Sequence, residues 1–227
     1  MSFYNVKKVT TNQHWTNWHA AYEDSNSSIS RRLAVVQRRF SDALSARVEG
    51  PIQVVSMCAG QGRDVIGVLE AHARAHDVSA HLFEQDALLA EDARLRAHGV
   101  SEGSVEVHVG DASKTSTYKN VVPADILLVC GVFGNISQRD IRATIALLPT
   151  LVAPNATVIW TRHRRNPDLT PAVREWFSNY GFEEVAFDTE ETALFGVGTN
   201  RFIGAPQPFV TNRELFTFIG DGATANL

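Results

Sequence analysis

From Ser28 onward the apolar residues Ile29, Leu33, Val36, Phe40 and Leu44 recur at three- or four-residue spacing, which places them on one face of a helix. Serines just ahead of the run supply capping oxygens for the N–H groups at its start. After Gly50-Pro51 the pattern changes to a short apolar run, Ile52–Met57, then the glycine-containing turn Cys58-Ala59-Gly60-Gln61-Gly62, then a helical pattern carried by Val65, Ile66 and Leu69. This order is strand, tight loop, helix. The alternation repeats as a strand over 80–83, a helix over 87–97 ending before Gly99, and strands over 105–109 and 126–129. Strands alternating with helices predict an α/β domain.

Ser137 with Asp140 three residues on resembles a capping box, and Ile141, Ile145 and Leu148 continue one helical face until Pro149 disturbs it. A strand follows over 157–161. Thr170 is then expected to cap a helix that begins at Pro171, presents Val173, Trp176, Phe177 and Tyr180 on its apolar face, and stops at Gly181. Two last strand-like segments, 182–187 and 194–203, are separated by the acidic stretch 188–191, which suits a hairpin at a sheet edge. No repeat or low-complexity segment interrupts the pattern. The expected organisation is one domain over 1–227: an arm and helix over 1–49, a core over 50–204 and an extension over 205–227, with both flanks packed on the core.

A 44% share of hydrophobic residues in 227 is ample for a buried core. Apolar runs never approach the eighteen or more residues of a bilayer-spanning helix, and Lys7 and Lys8 are followed by no apolar stretch that would make a secretory signal. A cytoplasmic protein is expected. The only cysteines, Cys58 and Cys130, sit in apolar surroundings where a reduced thiol is the ordinary occupant. A formal charge of −4 provides no general attraction for a polyanion, although Arg162, His163, Arg164 and Arg165 make one local basic cluster, so nucleic acid is a minor hypothesis.

The chemistry concentrates in the loops. A helix that starts just after a strand, with glycines between, exposes backbone N–H groups and lets a ligand approach the main chain; Gly60 and Gly62 are placed for this. About twenty residues later Glu84 follows the second strand, where an acid accepts hydrogen bonds from a ribose diol. A dinucleotide fingerprint needs a third small residue where this chain has Val65, and no Gly-Lys-Ser/Thr follows for a Walker loop. The loop favours a small nucleoside ligand.

Over residues 50–204 these motifs together resemble the class I S-adenosylmethionine-dependent methyltransferases. Val54 to Gly62 is similar to their first motif, with Ser56 where an acid is usual and Cys58 where the first glycine is usual. Phe83-Glu84-Gln85-Asp86 resembles the second, and Val109-Gly110-Asp111-Ala112 the third. Residues 124–131, ending in Val129-Cys130-Gly131, resemble the fourth. The resemblance implies a Rossmann-like, mostly parallel, seven-stranded sheet with helices on both faces and a C-terminal antiparallel hairpin. It implies S-adenosylmethionine as cofactor, held by Cys58, Ala59, Gly60 and Gly62, by Glu84 and Gln85 at the ribose, by Asp111 and Ala112 at the adenine edge, and by Cys130 and Gly131 near the sulfonium. No metal is implied.

In open α/β sheets the ligand lies beyond the carboxyl ends of the strands, which directs attention to the loop carrying Asn135 and to Arg162, both candidates for binding the acceptor. His163 is the candidate general base there, because imidazole accepts a proton near neutral pH. The arm adds His14, Trp15, Trp18, His19 and Tyr22 within nine residues. Trp15 and Trp18 are candidates for binding the acceptor and covering the sulfonium by cation–π attraction, and His19 and Tyr22 are candidate catalytic groups whose polar tips orient the acceptor; packing of the same rings as ordinary core is the competing expectation. The expected reaction is methyl transfer to O or N of a small molecule. Alternatives are other uses of the sulfonium, aminocarboxypropyl transfer or cyclisation with release of methylthioadenosine, and a non-catalytic nucleoside-binding module. The oligomeric state is left open.

Overall fold

A computed structural model describes Tyr22, Asp24 and residues 26–100, 105–190 and 194–219. Seven strands form one sheet: β1 (Ile52–Met57), β2 (Val78–Glu84), β3 (Val105–Val109), β4 (Ala124–Val129), β5 (Val152–His163), β6 (Phe182–Glu190) and β7 (Phe195–Phe202), in spatial order β3-β2-β1-β4-β5-β7-β6. Strands β1 to β5 pair in parallel, and β7 runs antiparallel to both β5 and β6. The expected sheet with its closing hairpin is therefore present. Its order reverses between β1 and β4, the point beyond whose strand ends open α/β sheets carry their ligand crevice.

Among the described residues five α-helices cover the two faces: α1 (Ser28–Ser45), α2 (Arg63–Leu69), α3 (Ala87–Ala97), α4 (Gln138–Leu147) and α5 (Thr170–Asn179). Helices α1, α2 and α3 bury Val36, Phe40, Val65, Ile66 and Ala93 against Val54, Leu82, Ile126 and Leu128 of one face. On the other, Ile141, Ile145, Val173 and Phe177 meet Val55, Leu127, Val158 and Trp160. Being covered on both sides, the central strands read as apolar runs rather than alternating ones.

The helix starts follow their caps. Ser27 Oγ accepts from Ser30 N at 3.1 Å, and Ser137 Oγ from Asp140 N at 3.0 Å. The start of α5 differs from expectation: Thr170 is its first residue, and Asp168 Oδ1 accepts from Thr170 N and Oγ1 at 2.9 and 2.7 Å. The hairpin differs too, because Asp188 and Glu190 belong to β6. Their carboxylates pair with Arg38, Arg39 and Arg31 of α1, so these acids bind a neighbouring helix instead of forming a turn. Residues 205–219 run back across the domain, burying Leu215 and Phe216 and bridging Lys114 to Glu214 and Ile136 to Phe218. Among the described residues no helix is long and apolar enough to cross a membrane.

Candidate functional site

The loop after β1 is built around backbone that turns left-handed. Gly60 and Gly62 have φ of 56° and 66°, and Cys58, which has a side chain, has φ of 52°. A Cβ on Gly62 would lie 2.7 Å from Ile66 Cδ1 and from Leu82 Cδ2, so glycine is required for helix α2 to seat on the sheet. The loop is pinned by Ala59 N donating to the Phe83 carbonyl at 2.9 Å.

Glu84 ends β2 directly beside it. One carboxylate oxygen accepts from Gly60 N at 2.7 Å and the other from Asp86 N at 2.8 Å. Burial nevertheless raises its pKa. The acid is thus oriented by two backbone donors at the mouth of the glycine loop, next to Gln85. On the neighbouring strand end, Gly110 N donates to the Glu84 carbonyl at 3.0 Å. Asp111 Oδ1 accepts from Ser113 N and Oγ at 2.9 and 2.6 Å, and its Oδ2 lies 3.2 Å from Lys114 Nζ. Those hydrogen bonds, that of Ser113 Oγ foremost, hold the Asp111 carboxyl below its ordinary pKa. Ala112 is buried behind it, with its carbonyl accepting from Tyr118 Oη at 2.6 Å.

At the end of β4, Gly131 has φ of 75° and nothing lies within 4 Å of where its Cβ would be, so this backbone faces open space. Its N–H donates to Thr161 Oγ1 at 2.9 Å, and its carbonyl accepts from Asn135 Nδ2 at 2.6 Å. The Asn135 side chain therefore fastens the loop on which it sits. Burial pushes the thiols of Cys58 and Cys130 up, so both are neutral groups and neither is an activated nucleophile.

The basic cluster expected at the end of β5 does not form one patch. Arg162 is 5% exposed and donates Nη1 to the Phe133 carbonyl, with Nε unpartnered. Arg164 pairs with Asp168 at 3.0 Å, and Arg165 is exposed. His163 is half-buried between them, with Nδ1 buried and unpartnered. Burial first, then the charges of Arg162 and Arg165, lower its pKa, so the imidazole is neutral at neutral pH.

A group that sequence reasoning missed lies on the α2 side of the crevice. Asp64, in the first turn of α2, is 9% exposed, and burial raises its pKa from an ordinary 3.8 to about 6. The Arg32 guanidinium opposes that shift, and the Arg32 side chain hydrogen-bonds the Tyr22 phenol. The Tyr22 ring lies under the Arg63 guanidinium, 5.2 Å from Cζ, and its carbonyl accepts from Ser30 Oγ at 3.2 Å. The charges of Arg32 and Asp64 act on both the Tyr22 phenol and the Cys130 thiol, which places the four side chains together. The signal was present as an acid two residues past Gly62, but acids are common in first helical turns and carry no special meaning there. Ser56 is buried at 1% exposure on the same sheet face, its hydroxyl without a partner. Trp15, Trp18 and His19 lie outside the described residues. A surface groove between Pro149, Tyr180, Phe202 and Pro208 lies at the opposite end of β5 and takes no part.

A crevice at the strand-order reversal, a glycine loop and an oriented acid after β2 invite comparison with known structures. No protein-family model and no curated protein sequence matches the chain. Solved structures do. The CurJ carbon methyltransferase superposes with a TM-score of 0.66 at 12% identity, over 83% of this chain and 58% of that one. The magnesium protoporphyrin IX methyltransferase of Synechocystis PCC 6803, with bound S-adenosylmethionine, gives 0.61 at 14% identity over 85% and 91%. The chain has the class I methyltransferase fold. The SpnF cyclase shares it, with a TM-score of 0.52 at 13% identity over 76% and 81% of the two chains. The fold thus covers methyltransferases and at least one protein named for ring closure.

Proposed function

We propose that the chain is an S-adenosylmethionine-dependent methyltransferase acting on a small-molecule acceptor at O or N in the cytoplasm. The observation that carries this is the carboxylate of Glu84 at the end of β2, where each oxygen accepts one backbone N–H, from Gly60 or Asp86, and keeps a second lone pair. Two such acceptors side by side suit a ribose diol. The residues fit the adenosyl part of the cofactor: Asp111 stands one strand over for the adenine edge, and Gly131 leaves free space at the end of β4. For the methionine part the fit differs from the family pattern. Ser56 has no charge, and Asp64 with Arg32 is the nearby pair of opposite charge that can receive an ammonium and a carboxylate.

When bound, the cofactor supplies a methyl group on a sulfonium, already activated for in-line displacement. The chain's own part is positioning, exclusion of water and proton removal. His163 serves as the base, because its low pKa leaves a lone pair at neutral pH, and Asn135 and Arg162 shape the acceptor side. Tyr22 closes the crevice from the α1 side. Ser56 and Cys58 at the first motif favour a second reading in which the same cofactor site uses another sulfonium carbon, for aminocarboxypropyl transfer or cyclisation with release of methylthioadenosine.

Incubation with S-adenosylmethionine followed by mass analysis tests both. S-adenosylhomocysteine formation with an added nucleophile supports methyl transfer, and methylthioadenosine supports the second reading. Absence of any binding by calorimetry overturns the two together.

A further inference from the structure

On the opposite side of β2 from helix α2, at the β3 edge, three potential ligands meet. The parallel register sets His81 beside Glu106 and Phe83 beside His108. Alternation along each strand then brings His81, Glu106 and His108 to one face. The connection from β3 to β4 contains one 3-10 turn, Thr115–Tyr118, and no α-helix, and the cluster is partly reached by solvent. Side-chain exposure rises from 12% at His81 through 35% at His108 to 62% at Glu106.

We propose that His81, Glu106 and His108 bind one zinc-class divalent ion, which ties the edge strand β3 to β2. The donor atoms are already at coordinating separations. His81 Nδ1 lies 3.1 Å from His108 Nε2 and 3.4 Å from Glu106 Oε2, and His108 Nε2 lies 3.5 Å from the same oxygen. Ligands about 2.0–2.1 Å from a tetrahedral ion stand about 3.3 Å apart, so one ion fits between the three with little movement. The ring orientations are fixed by neighbours. Ser79 Oγ is 3.3 Å from His81 Nε2, where accepting that N–H leaves the Nδ1 lone pair for a metal. Phe83 stacks on the His108 ring at 4.7 Å. Two imidazole nitrogens and a carboxylate suit zinc, nickel or copper, and one carboxylate alone is a poor set for calcium or magnesium. Three protein ligands leave a fourth position for water.

The test uses the full chain, treated with a chelator and titrated with zinc by calorimetry and with cobalt by visible absorption. Wild type is expected to bind one equivalent, with tetrahedral cobalt absorption and a melting temperature that rises with free zinc. His81→Ala with His108→Ala sets the baseline for the other histidines and should weaken binding at least about 100-fold. Ser79→Ala should weaken it about 10-fold while leaving the ligands in place. Glu106→Gln, at an exposed position, tests the carboxylate in a chain whose fold is checked by circular dichroism. Equal affinity in wild type and the double variant, or no binding by folded wild type, overturns the proposal.

Discussion

Gly60 N donates to Glu84 Oε2 across 2.7 Å, joining the loop after β1 to the end of β2. One carboxylate thus shapes the loop and, in the proposed function, also receives the ribose. Glu84→Gln keeps an acceptor for one backbone N–H but loses the charge, and charge-assisted hydrogen bonds contribute about 1.5–3 kcal/mol each. The expected result is a 10- to 100-fold loss of S-adenosylmethionine affinity at nearly unchanged melting temperature, measured by calorimetry. Unchanged affinity in the folded variant would move the ribose contact elsewhere.

Asp64 separates stability from binding. Its pKa is about 6 in the fold against an ordinary 3.8, so the folded chain holds this proton more firmly than the unfolded one. Stability from the protonated form is complete below pH 4 and is lost as pH rises to about 6, a difference of about 3 kcal/mol. Asp64→Asn should remove that slope and raise the melting temperature at pH 7.5. If Asp64 receives the cofactor's ammonium, the same variant binds S-adenosylmethionine more weakly. A variant that is stabler and binds equally well would make Asp64 structural only.

The contrast between Glu84 and Asp64 shows what the sequence could disclose. Gly60, Gly62 and Glu84 are neighbours through consecutive strands, so their spacing along the chain already encodes their meeting. Tyr22, Arg32 and Asp64 come together only through the packing of α1 on α2, which no local pattern records. Element type was legible for the same reason as the first group, since buried strands and capped helices carry their signals locally. Boundaries were less so. Strand β5 extends back to Val152 through exposed Pro154 and Asn155, with a shifted register against β4, and those residues look like a loop. Asp188 and Glu190 read as a turn until their arginine partners on α1 are known.

The core offers an independent check of the fold. A Cβ on Gly198 would fall 2.1 Å from Trp160 Cε2, and the indole is held by stacking on Phe177 and Phe187 and by Nε1 donating to Asn200 Oδ1 at 2.8 Å. Gly198→Ala should therefore destabilise by about 1–3 kcal/mol or more, because the ring has no free direction in which to move. Trp160→Phe removes the atoms in the way. Combined with Gly198→Ala it should cost less than the sum of the two changes in a denaturation cycle. Additive losses would mean that β5 and β7 are not paired in this register.

The last prediction concerns His163. Its pKa is lowered by burial and by the charges of Arg162 and Arg165, so the acid limb of the turnover profile should lie below the ordinary histidine value of 6.5. Only the neutral imidazole can accept the acceptor's proton. With His163 as the base, activity should be lost as pH falls through its pKa and be full above it. Arg165 is exposed, so Arg165→Ala removes a like charge without opening the core and should move the limb upward toward 6.5. His163→Asn should abolish the limb and cut turnover by about 100- to 10,000-fold, the usual worth of a positioned base, with cofactor affinity unchanged. A structural histidine would give a different signature. Its replacement would lower stability and leave the limb where it was, and Arg165→Ala would not shift the profile at all. A limb that stays fixed in both variants assigns proton removal to another group.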